Sequence, residues 1–272
     1  MPSTDITHDA IPLGRTHAAE ASAHGNQHVL CFAPALEDAY QQLVVPAVLQ
    51  ACGSYAFVSG PAHTLGFEEQ LMPFLLARGY ADVRARCEES GETGMGAPAR
   101  ELLSAPGFAY WEPSAPALRA AGLGGLVALL EGELPVTLFV DVQDLPAAMG
   151  AQLVAAVATA PHNVRVCVLA RGVRSLEALC GPAWMELLDG CDHLLFLGAQ
   201  RGSVLRALGI EGLDALEDGQ VGVSWRERAL ELDEPLTARE HPQGAEAAEA
   251  LRAYVERAER EAEAYIAAHP EG

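Results

Sequence analysis

The sequence predicts an α/β fold with a mostly parallel β-sheet and helices on both of its faces. Short strand-like runs alternate with helical patterns from residue 28 onward, which is the order of elements in doubly wound α/β folds. Several of these runs are apolar without interruption, as strands buried on both faces of a parallel sheet are. Hydrophobic residues make up 50% of the 272-residue chain, so the core of such a sheet is readily supplied.

Six strand-like runs define the predicted sheet, for which we expect about six to eight strands in total. They are residues 28–33, 55–60, 81–87, 136–142, 165–170 and 193–199. Near the end of the chain, residues 220–234 read QVGVSWRERALELDE and predict a strand or hairpin at an edge of the sheet.

Apolar residues at helical spacing predict helices between these strands. The first helix is expected over residues 37–51, where a single apolar stripe follows the helical period. The stripe consists of Tyr40, Leu43, Val44, Ala47, Val48 and Ala51. Pro46 lies in the same stretch and is expected to kink the helix. Further helices are predicted at residues 65–78, 116–131, 146–160, 175–189 and 201–208.

Three segments depart from this alternation and divide the chain. Residues 1–26 show no sustained periodicity and predict a loose N-terminal arm before an α/β domain at 27–242. Residues 88–115 are rich in Gly and Pro and predict an irregular connection. Residues 243–272 predict a C-terminal helix rich in Ala, Glu and Arg. Its narrow apolar stripe fits packing on its own domain or on a partner, and the spacing does not decide between them.

The charge of the chain restricts the chemistry that it can perform. The formal net charge is −20, and all 17 basic residues are arginines. Mechanisms that need a lysine, such as a lysine in a phosphate-binding loop or a Schiff base, are therefore excluded for this chain's own residues. An acidic protein also repels a nucleic-acid backbone at long range, so we expect no direct DNA or RNA binding.

Cysteine usage and hydropathy indicate a cytoplasmic protein without a metal centre. The six cysteines are scattered and form no C-x-x-C pair, which is typical of buried thiols in a reducing compartment. Neither an H-E-x-x-H motif nor a cysteine knuckle is present, so no metal site is expected. The first 25 residues lack the apolar core of a secretory signal, and no apolar run is long enough for a membrane span.

A collinear series of short motifs extends from about His28 to His241. In chain order the motifs are VLCF (29–32), LVVPAVLQ (43–50), GSYAFVSG (53–60), LFVDVQDL (138–145), VRVCVLARGVRSLEALCG (164–181), LLDGCDHLLFLGA (187–199) and LDALEDGQVGVSWRERAL (213–230). The series resembles the ATPase domain of TraG/TraD-type coupling proteins, the membrane-anchored ATPases that hand DNA to the transfer channel in conjugation and type IV secretion. This resemblance implies a RecA-like, P-loop NTPase-like fold, with residues 88–115 in place of the family's all-α insertion.

The phosphate-binding loop of that family is degenerate in this chain. The positions of the family's two loop glycines hold Ala33 and Asp38, the lysine position holds Ala39, and the position of the magnesium-binding hydroxyl holds Tyr40. A phosphate loop needs its glycines so that the backbone can fold around the phosphates and aim N–H groups at them. Pro34 has no N–H to offer. The resemblance therefore implies no nucleotide or other cofactor site at these residues.

The Walker B strand of the family keeps only its aspartate. Asp141 stands at that position, whereas Val142 stands at the position of the catalytic glutamate that orients water. The sensor glutamine position holds Ala170. Apart from Asp141, every group that phosphoryl transfer needs is missing, so no catalytic residue is expected.

These departures predict a catalytically inactive pseudo-ATPase that serves as an accessory or assembly component of a conjugative or type IV secretion apparatus. Its expected partner is a protein, either an active coupling ATPase or another secretion component, and oligomerisation is left open. One alternative is an NTPase with a rebuilt site, in which Arg171, Arg174 and Arg201 replace the lysine. A second alternative is a small-ligand or protein-binding α/β domain unrelated to secretion, with its pocket near Ala33, Ser59 and Asp141 at the carboxyl ends of the strands.

Overall fold

A computed structural model describes residues 11–15, 20–50, 53–59, 71–77, 79–89, 94–143, 145–198, 208–210, 216, 220–225, 236–237, 256 and 260. Within these ranges, eleven strands form one sheet. The strands are β1 (Ile11–Arg15), β2 (Glu20–Ala23), β3 (Val29–Phe32), β4 (Ser54–Val58), β5 (Ala81–Asp82), β6 (Gly107–Trp111), β7 (Val136–Asp141), β8 (Val164–Ala170), β9 (His193–Leu197), β10 (Gln220–Trp225) and β11 (Leu236–Thr237).

The centre of the sheet is parallel and its β2 side is antiparallel. The strand order is β2-β1-β11-β10-β9-β3-β8-β7-β4-β6-β5. All pairings from β9 through to β5 are parallel, and all pairings from β9 through to β2 are antiparallel. β3 therefore lies between β8 and β9, two strands that come much later in the chain. Open parallel sheets bind their ligands at the carboxyl ends of strands where the chain reverses its direction across the sheet, which here is the end of β3.

Helices cover both faces of this sheet. They are α1 (residues 36–50), α2 (Met72–Ala77), α3 (Val83–Glu89), α4 (Gly96–Ser104), α5 (Pro116–Leu129), α6 (Gly150–Ala158), α7 (Val173–Cys180) and α8 (Trp184–Gly190). One core cluster joins alternate strand residues to α4–α8, and a second joins the intervening strand residues to α1, α2 and the β1–β2 hairpin. In β8, for example, Val166 and Val168 belong to the first cluster, whereas Cys167 and Leu169 belong to the second. The predicted fold class, a mostly parallel α/β sheet with helices on both faces, is confirmed.

The irregularity expected at Pro46 is present as a wider helical turn. Helix α1 consists of α-helical Leu36–Ala39, π-helical Tyr40–Val44 and α-helical Val45–Gln50, and the Val45 N–H donates to the Tyr40 carbonyl five residues earlier. Proline cannot donate the α-helical hydrogen bond, and its ring crowds the carbonyl of the preceding turn. A π-turn directly before Pro46 is a known way of accommodating such a break, and turns of this kind are frequent at functional sites.

The segment 88–115 is not the irregular connection that was predicted. It contains helix α4 and strand β6, and β6 pairs with both β4 and β5. These two elements are delimited by Gly96, Pro106 and Gly107. The Gly and Pro content of the segment therefore marks the ends of a helix and a strand and not an absence of structure. The strand was missed because its five residues acquire their identity from pairing across the sheet.

The strand predicted at 81–87 is also wrong for most of its length. Only Ala81–Asp82 is a strand, and helix α3 begins at Val83. The Asp82 carboxylate accepts the N–H of Ala85 at 3.0 Å, which is the arrangement of a helix N-cap. An ion pair between Arg84 and Glu88, one helical turn apart, adds a small stabilisation. In the sequence, Asp82 followed by Arg84 and Glu88 at i, i+4 spacing was the signal that indicated a helix.

The ends of the chain differ from expectation as well. The predicted loose arm at 1–26 contains β1 and β2, which form an antiparallel pair and raise the number of strands above the expected six to eight. β10 is present as predicted, but it lies between β9 and β11 and not at an edge of the sheet. The helix predicted at 175–189 is divided into α7 and α8 at Gly181, whose φ of 58° ends α7. Of the predicted helix at 243–272, only Glu256 and Arg260 are described, and both are helical.

The cysteines within the described ranges are buried, as their apolar surroundings in the sequence predict. They are Cys31, Cys87, Cys167, Cys180 and Cys191. Burial raises the pKa of the Cys167 thiol to about 12, so this thiol stays protonated. In the part of the chain that the structure describes, none of the helices has both the length and the apolar character needed to cross a bilayer.

Gly150 provides a test of how tightly the helices on the α4–α8 face pack. A Cβ at Gly150 would lie 2.0 Å from the carbonyl oxygen of Leu179 and 2.9 Å from Cα of Cys180. Both are backbone atoms, so Gly150→Ala has to push α6 away from α7. We expect the free energy of unfolding, measured by urea denaturation, to fall by about 1–3 kcal/mol.

Gly124→Ala in α5 is the matched control. No atom lies within 4 Å of the added Cβ, and alanine is favoured over glycine inside a helix by about 0.5–1 kcal/mol. The control should therefore be neutral or stabilising. A Gly150→Ala variant as stable as the wild type would contradict the close approach of α6 and α7.

Candidate functional site

The connection after β3 is short. β3 ends at Phe32 and α1 begins at Leu36, so only residues 33–35 separate strand from helix. Residues 36–40, which align with the second half of the family's loop, are helical here. A backbone that is wound into a helix uses its N–H groups for intrahelical hydrogen bonds from the second turn onward. The predicted degenerate loop is thus occupied by the first turn of α1.

Two backbone N–H groups between β3 and the first turn of α1 are used within the protein. The N–H of Ala33 donates to the carbonyl oxygen of Ala170 at 2.9 Å, which ties the connection to the end of β8. The N–H of Asp38 donates to the carbonyl oxygen of Ala35 at 3.2 Å. Ala33 is fully buried, and Pro34 has no N–H. Neither of these two N–H groups points toward a ligand.

Tyr40 occupies the space beside the retained aspartate. Its side chain forms a hydrogen bond with the Ser59 side chain and lies close enough to Asp141 and Tyr110 to interact with them electrostatically. Burial raises the pKa of the Tyr40 phenol, and the negative charge of Asp141 raises it further. Tyr40 therefore remains neutral at physiological pH. A bulky phenol stands where the family places a hydroxyl that binds magnesium.

Asp141 is anchored by hydrogen bonds from the protein. It is the last residue of β7 and is 2% exposed. One carboxylate oxygen accepts the backbone N–H of Gln143 at 2.9 Å, and the other accepts the Ser59 hydroxyl at 3.5 Å. A carboxylate held in this way stabilises the end of its strand, because a buried charge must be satisfied by donors.

The next position along the chain is apolar. Val142 is 3% exposed and packs in the core cluster that joins the sheet to α4–α8. Its N–H donates to the carbonyl oxygen of Leu169 at 3.1 Å, which continues the pairing of β7 with β8. A valine side chain in the core neither carries a proton acceptor nor reaches water. Nothing at position 142 can orient an attacking water molecule.

Ser59 and Tyr110 complete a polar group that we call the Tyr40 cluster, consisting of Tyr40, Ser59, Tyr110 and Asp141. The Tyr110 hydroxyl donates to the Ser59 carbonyl oxygen at 3.1 Å. From the edge of the sheet, Arg84 donates to the Tyr110 carbonyl oxygen at 2.6 Å. The cluster thereby links helix α1 to the carboxyl ends of β4, β6 and β7.

The sequence placed Tyr40 and Asp141 in this region. It assigned Ser59 only to the ligand pocket of one alternative function, and it gave Tyr110 no role. Tyr110 lies in segment 88–115, whose Gly and Pro content predicts an irregular connection and therefore no strand end. Ser59 directly follows a buried strand, which is the position where parallel sheets carry functional polar groups. That position was the available signal for Ser59.

Of the three arginines that could replace the family's lysine, two lie among the described residues. Arg171 and Arg174 are exposed and lie directly after β8 and in the first turn of α7. Arg201 lies outside the described residues. Across the described ranges, no group of three or more His, Cys, Asp or Glu side chains is arranged to hold a metal ion.

Comparison with known proteins gives similarity of fold at low sequence identity. No family model matches the sequence, and no curated protein matches it. One similar solved structure is the genome packaging NTPase B204 from Sulfolobus turreted icosahedral virus 2 in complex with AMPPCP. It is 10% identical, with 79% of this chain and 98% of that chain covered and a TM-score of 0.46.

Two further solved structures come from transfer and secretion systems. The bacterial conjugative coupling protein TrwBΔN70, with sulphate, is 10% identical over 79% of this chain and 86% of its own, with a TM-score of 0.48. The assembled ATPase EscN from the type III secretion system of enteropathogenic E. coli is 12% identical over 93% of this chain and 57% of its own, with a TM-score of 0.39.

Proposed function

We propose that this chain is a catalytically inactive relative of the coupling ATPases and serves as an accessory or assembly component of a conjugative DNA-transfer or type IV secretion apparatus. The observation that carries the proposal is the Tyr40 cluster. Where a P-loop NTPase would place phosphate and magnesium, this chain places the first turns of α1 and a neutral phenol bonded to Ser59 beside Asp141. The role in transfer rests on the collinear sequence motifs.

Rebuilding a nucleotide site here would require several unfavourable changes at once. The first turn of α1 would have to unwind, and the Ala33–Ala170 hydrogen bond would have to break. Each hydrogen bond lost in this way costs about 0.5–1.5 kcal/mol. Asp38 is exposed at the position of the second loop glycine, and a carboxylate about 4 Å from a phosphate charge repels it by roughly 4 kcal/mol at an effective dielectric of 20. No lysine exists in the chain to offset these costs.

The acidic surface favours a protein partner over a nucleic acid. The 17 arginines are outnumbered by 37 acidic residues, and the resulting net charge of −20 repels a phosphate backbone at long range. In a transfer apparatus such a chain would contact an active ATPase or another component and leave the DNA to that partner.

A second candidate is an NTPase that uses arginines in place of the lysine. It is favoured by the position of Arg171 and Arg174, which are exposed at the carboxyl end of β8, the strand to which Ala33 is bonded. Arginine binds phosphate in a bidentate manner and can substitute for a point charge in binding. This candidate would still lack a group to orient water, because Val142 is buried and apolar.

Nucleotide binding separates the two candidates directly. Titration calorimetry with a non-hydrolysable ATP analogue and magnesium should give no heat at millimolar nucleotide, and the melting temperature should not rise, since a ligand of the native state stabilises by RT ln(1 + [L]/Kd). Binding tighter than about 100 μM, or roughly −5.5 kcal/mol, would contradict the inactive assignment. Loss of that binding in an R171A/R174A double variant would then establish the arginine site.

The stability of Asp141 variants tests whether the retained aspartate has a structural role. Asp141→Ala removes the acceptor for the Gln143 N–H and the Ser59 hydroxyl, so we expect the free energy of unfolding to fall by about 1–3 kcal/mol. Tyr40→Phe, which removes only the phenol oxygen, should cost about 0.5–1.5 kcal/mol. Asp189→Ala, an exposed residue of α8, is the control and should stay within about 0.5 kcal/mol of the wild type. An Asp141→Ala variant of unchanged stability would be evidence against the anchoring role.

The assembly role predicts a complex with a coupling ATPase from the same genome. The two purified proteins, mixed at micromolar concentration, should co-elute in size-exclusion chromatography with light scattering. Nucleotide in the complex should be accounted for by the ATPase alone. A RecA-like ATPase from an unrelated system serves as the control and should elute separately. Separate elution of both ATPases would refute the assembly role and leave the nucleotide result unaffected.

A further inference from the structure

A buried polar cluster lies at the opposite end of the sheet from the Tyr40 cluster. The connection from β2 to β3, residues 24–28, crosses the amino ends of β3, β8 and β9. Three side chains beneath it are almost fully buried, namely Arg165 of β8, His193 of β9 and His28, which directly precedes β3. Buried groups that can carry charge are costly unless they are paired, so their presence here needs a physical reason. The proposed function assigns them no part.

His28 is bound in a geometry that requires an uncharged ring. Its Nδ1 accepts the backbone N–H of Val166 at 3.1 Å, and the ring also forms a hydrogen bond with the backbone of Val157. The N–H of His28 donates to the Asp192 carboxylate at 2.7 Å, and its carbonyl oxygen accepts the N–H groups of Asp192 and His193. A proton on Nδ1 would point at the Val166 N–H and abolish that hydrogen bond. His28 thus joins the amino end of β3 to β9 through its backbone and to β8 through its ring, and the bond of the ring to β8 requires the neutral form.

Arg165 and His193 hold the same connection from below. One terminal nitrogen of Arg165 donates to the carbonyl oxygens of Ala23 and Gly25. The other two guanidinium nitrogens, Nε and Nη1, have no hydrogen-bond partner among the described residues. The Nε2 of His193 lies 3.0 Å from Oε1 of Gln27, which also accepts the N–H of His24, so Nε2 is the donor. The connection is therefore tied to the sheet largely through these three side chains.

Among the described residues, the charge around the two histidines is unbalanced toward positive. In that part of the chain, the charged or titratable groups that face them are Asp192, Arg165 and, toward His193, His24. Cys167 and Tyr55 face Arg165 from the core. One carboxylate thus serves one permanent cation, and protonation of both histidines would leave three cations beside a single Asp192. Like charges in a low-dielectric interior repel strongly.

We propose that His28 and His193 form an acid-sensitive latch, which holds the β2–β3 connection and the β1–β2 hairpin on the sheet while both rings are neutral and releases them when the rings are protonated. Besides these ties, the hairpin packs through Ile11, Leu13 and Ala23 on the core cluster that it shares with α1 and α2, and Arg15 of β1 pairs with Thr237 of β11. Release of the hairpin would expose the free edge of β11, and the parallel pairings would stay intact.

The direction of the pH dependence follows from burial. Desolvation lowers the pKa of His28 below 6.5 and that of His193 to about 4, and Arg165 lowers both further, while Asp192 acts in the opposite direction. The released state has histidines of ordinary pKa, near 6.5, so it binds more protons than the latched state. Stabilisation of the latched state is therefore complete above about pH 6.5 and is lost as the pH falls from 6.5 toward 4.

Hydrogen exchange of the wild-type chain at pH 7.5 and pH 5.0 tests the latch. After correction for the intrinsic pH dependence of exchange, protection of the β1 and β2 amides should fall about 30-fold at pH 5.0 from His193 alone, since its pKa changes from about 4 to 6.5 on release. Amides of β7 should keep their protection. Equal loss of protection in β7 and in the hairpin would mean global acid unfolding and would overturn the proposal.

Conservative variants show whether the histidines cause the effect. In His28→Asn, the side-chain oxygen can accept the Val166 N–H without becoming protonated, and in His193→Gln the amide nitrogen can donate to Gln27. The double variant should keep the hairpin protected at pH 5.0, whereas His162→Asn, an exposed control, should behave as the wild type does. A double variant that opens as the wild type does would refute the latch.

Should the double variant fail to fold, histidine-selective NMR of the wild type decides the question. Two of the nine histidines should keep their neutral chemical shifts from pH 7.5 down to the pH at which the β1 and β2 amides lose protection. Titration of all nine rings near pH 6.5, with the hairpin still protected, would overturn the proposal.

Discussion

The structure depends on the burial of β3 between β8 and β9. Its four residues have no exposed surface, and they pair in parallel with one strand on each side. Each buried aliphatic or aromatic side chain of such a strand stabilises the fold by about 1.5–3 kcal/mol. The cluster of His28, Arg165 and His193 lies at the amino end of this strand and its neighbours, and Tyr40 lies on the helix that follows the carboxyl end of the strand. The position of β3 thus determines where the fold can carry functional polar groups.

Under the proposed function, the sheet persists without phosphate chemistry because its stability does not depend on the residues of the phosphate loop. Leu30 and Phe32 pack against the helices of one face and Val29 and Cys31 against those of the other, whatever residues follow Phe32. Under the proposed function, the Ala33–Ala170 hydrogen bond and the contacts of Tyr40 stand in place of the interactions that a nucleotide would make.

The sequence was sufficient for elements whose signal is local. The continuous apolar runs of β3, β7 and β8 were recognised within a residue or two of their ends, and so was the apolar stripe of α1. β6 was missed because its partner β4 lies far away in the chain. β1 and β2 pair with each other, and they were missed because residues 1–26 show no sustained apolar periodicity. At the candidate site, Tyr40 and Asp141 could be placed from their spacing to the strands. The involvement of Tyr110 could not, because it follows from the pairing of β6 with β4.

The two ends of β3 differ in how they respond to conditions, and this difference limits how the chain can be regulated. At the carboxyl end, the raised pKa of Tyr40 keeps its phenol neutral at any physiological pH, and Asp141 is satisfied by donors from the protein. Nothing there changes with nucleotide or with mild acid under the proposed function. At the amino end, two neutral histidines lie beside an arginine that they cannot neutralise, and their ordinary pKa is within the physiological range. A switch in this molecule therefore belongs at the amino end of β3, where protonation acts on the connection to the β1–β2 hairpin.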